Sequence, residues 1–107
     1  MKITGGFIML NIVKTAEEGK VTYSLEGRLD TNTSEELETD LTETIQEAEE
    51  LIMDFEKLDY ISSAGLRILL AAYKAMVKKG GMKVVHVNST IMEIFDVTGF
   101  SDILTIE

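Results

Sequence analysis

The sequence predicts an α/β fold: a mixed sheet of four to five strands with helices packed on one face. Two observations carry this expectation. The apolar periodicity switches repeatedly between strand-like and helix-like spacing, in the order β-β-α-β-α-β-α-β. The later strands alternate with helices, so they should run parallel through right-handed crossovers, which put successive helices on the same side of the sheet.

Phe7 to Val13 is apolar and β-prone and reads as a first strand. Ala16-Glu17-Glu18-Gly19-Lys20 is turn-like, after which Val21, Tyr23 and Leu25 alternate with polar neighbours as a half-buried strand should. The two form a hairpin, and Gly27-Arg28-Leu29-Asp30 ends its second strand. Thr33 and Glu36 have capping-box spacing, and Glu35 with Glu36 place negative charge in a first helical turn. Leu37, Leu41, Ile45 and Ala48 follow at helical spacing, which predicts a surface helix near residues 34–49.

Leu51-Ile52-Met53-Asp54-Phe55 is short and nearly all apolar, as expected of a central strand. From Ser63 the period is helical again. Leu66, Leu69, Leu70, Tyr73 and Met76 or Val77 form one stripe, and Arg67, Lys74 and Lys78 look outward. Lys78 and Lys79 suit the negative end of that helix, and Gly80-Gly81 stops it. Met82 to Val87 is a further buried strand. Thr90 and Glu93 repeat the capping-box spacing ahead of Ile91, Ile94, Phe95 and Val97, and Gly99 ends that helix. Ile103, Leu104 and Ile106 make a last strand or packing tail.

The chain has 107 residues, which suits a single domain over residues 1–107, with residues 1–6 a flexible lead-in. There is no cysteine, so disulfides and thiolate metal sites are excluded, and a reducing compartment fits. No apolar run approaches the ~20 residues needed to cross a bilayer, so the cytoplasm is the expectation. Ten basic residues against nineteen acidic ones give a net charge of −9. That surface repels nucleic-acid phosphates and anionic lipid headgroups, and favours a partner with a basic docking face.

Enzymatic chemistry finds little support. His86 is the only histidine and sits among valines, where a half-buried packing role is expected; no second imidazole exists to build a histidine-rich metal site. No phosphate loop or dinucleotide fingerprint is present. A hydrolase would need Ser63 within reach of His86, and nothing resembles a nucleophile elbow. Acid pairs such as Glu49-Glu50 fall on solvated faces. The expectation is a non-enzymatic protein without cofactor or resident metal.

Ser62 and Ser63 mark a helix start unlike the other two. Gly65 and Leu66 stand where a capping box would have Glu or Gln, and glycine in a first turn costs about 1 kcal/mol against alanine. Such a glycine offers room for another backbone or a phosphate to approach. A phosphate there would add a charge of about −1.5 to −2 at the helix end that stabilises it. A serine capping the helix is the competing reading.

Three segments carry a resemblance. They are Leu25-Glu26-Gly27-Arg28-Leu29-Asp30 with the Thr/Ser-rich helix start after it, Asp59-Tyr60-Ile61-Ser62-Ser63-Ala64-Gly65-Leu66, and Phe95-Asp96-Val97-Thr98-Gly99-Phe100. In this order the chain, from about Leu10 to Ile106, resembles the STAS family of anti-sigma-factor antagonists. The resemblance implies a STAS-like domain that binds an anti-sigma factor which is also a serine kinase, freeing the sigma factor. It implies phosphorylation by that kinase at Ser63, breaking the complex, and reversal by a serine phosphatase. Many phosphorylated members carry aspartate just before the acceptor; Ser62 holds that place here and is the secondary candidate.

Asp30 resembles the family's loop aspartate, with Thr31 and Asn32 beside it. The implied partner surface comprises Asp30, Thr31, Asn32, Ser62, Ser63, Ala64, Gly65 and Arg67. A monomer is the simplest expectation. The alternatives are a scaffold of the same fold in a transporter or stress-signalling assembly, without reversible phosphorylation, and a small hydrolase using Ser63 and His86.

Overall fold

In a computed structural model, which describes residues 10–107, five strands form one sheet in the order β1-β2-β3-β4-β5. They are β1 (Leu10–Glu17), β2 (Lys20–Leu29), β3 (Glu50–Ile61), β4 (Met82–Val85) and β5 (Thr105–Ile106). Only β1 and β2 are antiparallel; β2 to β5 run parallel. Each parallel crossover contains a helix: α1 (Ser34–Glu47), α2 (Ser63–Met76) and α3 (Ser89–Thr98), the last followed by a short 3-10 turn at Phe100–Asp102. The proposed lead-in at residues 1–6, and Phe7 to Met9 of the expected first strand, lie outside the described residues.

The hairpin between β1 and β2 closes through Glu18 and Gly19, with φ of 52° and 86°. Two successive positive φ values are what a two-residue turn needs to match the strand twist, and glycine supplies one without strain. Leu51, Met53 and Phe55 are fully buried, whereas Ile52 and Asp54 between them are only half-buried. The three helices therefore cover one face of the sheet and leave the other open. Phe55 of β3 meets Phe95 of α3 at a centroid distance of 6.4 Å, and Phe95 meets Phe100 at 6.5 Å. Gly99, at φ 86°, turns the chain between those two rings.

Several local expectations require correction. β3 reaches Ile61, well beyond Phe55, because its later polar residues Glu56, Lys57 and Asp59 are exposed while Leu58 and Ile61 stay buried. β4 stops at Val85 rather than Val87: His86 has φ 58°, which breaks the ladder. On α2 the buried set includes Ile68 and Ala72, and Leu70 is only half-buried.

Neither capping box forms. Thr33 makes no side-chain cap, and α3 starts at Ser89 with Asn88 as its cap, accepting from the Ile91 N–H at 2.9 Å. The Asn88 amide also donates to the Leu58 carbonyl at 2.8 Å, fixing α3 to β3. Lys79 serves α1 rather than its own helix, donating to the carbonyls of Ile45 and Ala48. α1 has no basic residue in its last turn, so Lys79 supplies the missing positive charge.

Candidate functional site

Asp30 follows β2 and organises the entry to α1. Its carboxylate accepts from the backbone N–H groups of Asn32 at 3.0 Å and Thr33 at 3.1 Å, and its own carbonyl accepts from Ser34 at 2.8 Å. The Thr33 hydroxyl donates to the Arg28 carbonyl at 2.7 Å and accepts from the Asp30 N–H at 2.9 Å. This is an Asx-type turn, in which a short side chain replaces backbone partners. Burial pushes the Asp30 carboxyl up, but the Thr33 and Asn32 N–H groups, the Thr33 hydroxyl and Arg28 outweigh it. Its pKa falls below the ordinary aspartate value.

Arg28 belongs to the same corner. Its guanidinium lies 4.2 Å from the ring centroid of Tyr60, its register partner on β3, and Nε is 3.6 Å from an Asp30 carboxylate oxygen. Neither Arg28 nor Tyr60 was expected among the site residues. The signal for Tyr60 is only its position opposite Arg28, which requires the strand register.

β2 and β3 deliver the two halves of the corner together. Leu29 pairs with Ile61, and the Ser62 N–H continues the ladder by donating to the Leu29 carbonyl at 2.9 Å. Ser62 then caps α2 from extended backbone, its hydroxyl accepting from the Gly65 N–H at 3.4 Å. Ser63 is the first helical residue. It is exposed, and its hydroxyl has no hydrogen-bond partner among the described residues. The two serines are thus divided: Ser62 serves the helix, and Ser63 is free. α2 carries no acidic residue in its first turn, whereas α1 carries Glu35 and Glu36.

Thr31, Asn32 and Arg67 are exposed, and Asp30 and Ser62 are half-buried. Arg67, four residues after Ser63, shares its helix face. Ala64 and Gly65 lie underneath instead, both buried. A Cβ on Gly65 would stand 2.8 Å from Leu29 Cγ and 2.9 Å from Ile61 Cγ1. The reading of Gly65 as room for an outside molecule is therefore corrected. The close approach it permits is that of α2 to Leu29 and Ile61.

The hydrolase alternative loses its geometry. His86 follows Val85, which pairs with Asp54, while Ser63 follows the far end of β3. Seven residues of strand separate those levels, roughly 20 Å at ~3.3 Å per residue. His86 is not a packing residue either: its side chain is 61% exposed, and Nδ1 lies 3.0 Å from an Asp54 carboxylate oxygen. Hydrogen bonding to Asp54 raises the imidazole above its ordinary pKa. Among the described residues, no helix is long and apolar enough to cross a membrane.

Known proteins resemble this chain in sequence and fold. The anti-sigma F factor antagonist of Paenibacillus polymyxa is 31% identical over 91% of this chain and 86% of its own length. An anti-sigma factor antagonist from Mycobacterium paratuberculosis superposes with a TM-score of 0.83 at 22% identity, covering 91% of this chain and 84% of that one. Bacillus SpoIIAA in its phosphorylated form superposes with a TM-score of 0.70 at 18% identity, covering 92% and 90% of the two chains. At these scores both structures share the fold of this chain, in which a mixed five-stranded sheet carries three helices. The STAS domain profile matches residues 11–107, so this chain belongs to the STAS domain family, whose members are regulatory binding proteins rather than enzymes.

Proposed function

We propose that the protein is an anti-sigma factor antagonist controlled by phosphorylation of Ser63. The unphosphorylated form docks on an anti-sigma factor that is also a serine kinase, in the cytoplasm, and so releases the sigma factor. The kinase phosphorylates Ser63, the complex separates, and a serine phosphatase resets it. The protein acts as a single-domain monomer. Its docking surface is the Asp30 loop with Thr31 and Asn32, the Ser62–Ser63 helix start and Arg67; Ala64 and Gly65 support that surface from below.

The observation that carries this reading is the division between the two serines. Ser62 is engaged as the cap, while the exposed Ser63 hydroxyl stands free at the positive end of α2. A phosphate on Ser63 would meet unpaired N–H groups and the helix dipole, so the fold would tolerate it. A partner covering that helix start would meet its bulk and charge. The Paenibacillus relative's designation as an anti-sigma F factor antagonist supports the partner class, and SpoIIAA, of the same fold, has been solved both unphosphorylated and phosphorylated.

The experiment is a pull-down of the anti-sigma factor from the native lysate using wild type, Ser63→Ala and Ser63→Asp. Retention by the first two and loss by the third supports the reading. Equal retention by all three contradicts it.

A further inference from the structure

The open face of the sheet carries a group of side chains that the docking surface does not use. Asp54 and Glu56, two residues apart on β3, and His86, just past the end of β4, place one donor atom each within 4.8 Å of one another. We propose that these three residues form a binding site for a borderline divalent transition cation such as Zn²⁺.

The donor set selects the class of ion. One imidazole nitrogen with two carboxylates suits zinc and its neighbours in the first transition row, whereas magnesium and calcium take oxygen ligands. Two metal–ligand bonds of ~2.1 Å span at most ~4.2 Å, so small side-chain rotations close the group around an ion. Most of that closure falls to Glu56, which is exposed.

The pair at the centre is already set. His86 Nδ1 and Asp54 Oδ1 stand 3.0 Å apart. That contact spans the place between nitrogen and carboxylate that an ion would take. The backbone N–H of Glu56 donates to the same Asp54 oxygen at 3.0 Å, which orients the carboxylate as an outer hydrogen bond does for a metal ligand. His86 reaches β3 because its backbone turns to φ 58°, away from the line of β4.

Asp54 and Glu56 also border a hollow of about 200 Å³ whose other walls include Asn11, Ser24, Glu26 and Lys57. Glu26 adds negative charge to this hollow; Lys57 is the cation that would compete. Three protein ligands leave further coordination positions for water or for a group on a bound molecule. The site stands well away from Ser63 along β3.

The sequence makes the test clean, because the chain holds one histidine and no cysteine. The tag-free, chelator-treated full chain is titrated with Zn²⁺ by calorimetry in the presence of excess Mg²⁺, while the His86 imidazole resonances are followed by NMR. The expected result is one ion per chain with a shift of those resonances. Affinity should fall about tenfold or more in His86→Gly and in Asp54→Asn. Glycine is chosen at position 86 because it accepts the positive φ, and far-UV circular dichroism checks that both variants fold. Absence of binding, suppression by Mg²⁺, or equal affinity in wild type and His86→Gly would overturn the site.

Discussion

The Ser62 N–H donates to the Leu29 carbonyl at 2.9 Å, one residue beyond the last pair of the β2–β3 ladder. This bond joins two segments separated in sequence by all of α1 and all of β3. Through it the Asp30 turn and the α2 start become one corner, and a shift in either segment moves the other. The free hydroxyl of Ser63 is held in place by strand pairing rather than by a loose loop.

Gly65 tests how tightly that corner is packed. Replacing it with alanine should destabilise the protein by about 1–3 kcal/mol, despite the better helix propensity of alanine. Its Cβ would press on Leu29, which is fully buried and has no room to yield. Urea unfolding at neutral pH reads the change, and a midpoint equal to wild type would show that the close approach does not matter.

Asp30 tests the turn. Asp30→Ala removes the acceptor for the Asn32 and Thr33 N–H groups and the partner of Arg28. A loss of about 1–2 kcal/mol is expected from the turn hydrogen bonds removed. Hydrogen exchange should rise at Asn32, Thr33 and Ser34 and stay unchanged in β4. Uniform protection across the loop would contradict the assigned role.

The pH dependence should report a second network, away from the Asp30–Ser63 corner. The Tyr23 hydroxyl lies 2.5 Å from Asp40 and 2.6 Å from Thr44, and Lys14 lies 3.0 Å from Asp40. The Tyr23 hydrogen bond, followed by Lys14, holds Asp40 below its ordinary pKa against the opposing effect of burial. A carboxyl with a depressed folded-state pKa stabilises the fold fully above its unfolded value of 3.8. That contribution disappears as pH falls through the lower folded-state value. Tyr23→Phe should therefore lower stability at pH 6 by about 1 kcal/mol and lose less of it than wild type on acidification below pH 4. Thermal unfolding at both pH values measures this; parallel curves would contradict it.

Asn88 has two tasks, capping α3 and bonding to Leu58 on β3. Asn88→Ala should cost about 1–3 kcal/mol, because it removes a cap and leaves the Leu58 carbonyl without its donor. Asn88→Asp keeps the cap acceptor but not the amide donor, so chemical denaturation should place it between wild type and alanine. Asn88→Asp as stable as wild type would leave the Leu58 bond without weight, and Asn88→Asp no more stable than alanine would leave the cap without weight.

The strand and helix order was legible because it rests on local periodicity. Val21, Tyr23 and Leu25 alternate, Leu37 and Leu41 sit one turn apart, and the structure keeps both patterns. The Glu18-Gly19 turn was legible for the same reason, since glycine next to a short polar stretch has few alternatives. Caps were less readable. Thr33–Glu36 and Thr90–Glu93 have the right spacing, but the Thr33 hydroxyl is taken up by the Arg28 carbonyl and the Asp30 N–H, and Asn88, tied to Leu58, caps α3 instead.

Tertiary pairing hid the rest. Nothing local says that Lys79 reaches the end of α1, that Arg28 stacks on Tyr60, or that His86 turns back over Asp54. Gly65 was misread because its helix position was legible but the nearness of Leu29 was not. At the candidate site, Ser63 and the Asp30 loop came from motif and resemblance. Their common corner required the Leu29–Ile61 register.

The central claim is that Ser63 is the switch. The most direct measurement incubates the protein with the proposed anti-sigma factor kinase and ATP, then locates the phosphate by mass spectrometry while complex formation is followed by size-exclusion chromatography. Phosphate on Ser63, loss of the complex in step with its appearance, and a complex that persists in Ser63→Ala are the predicted results. Phosphate on Ser62 or elsewhere, or a complex that survives full modification of Ser63, would contradict the account.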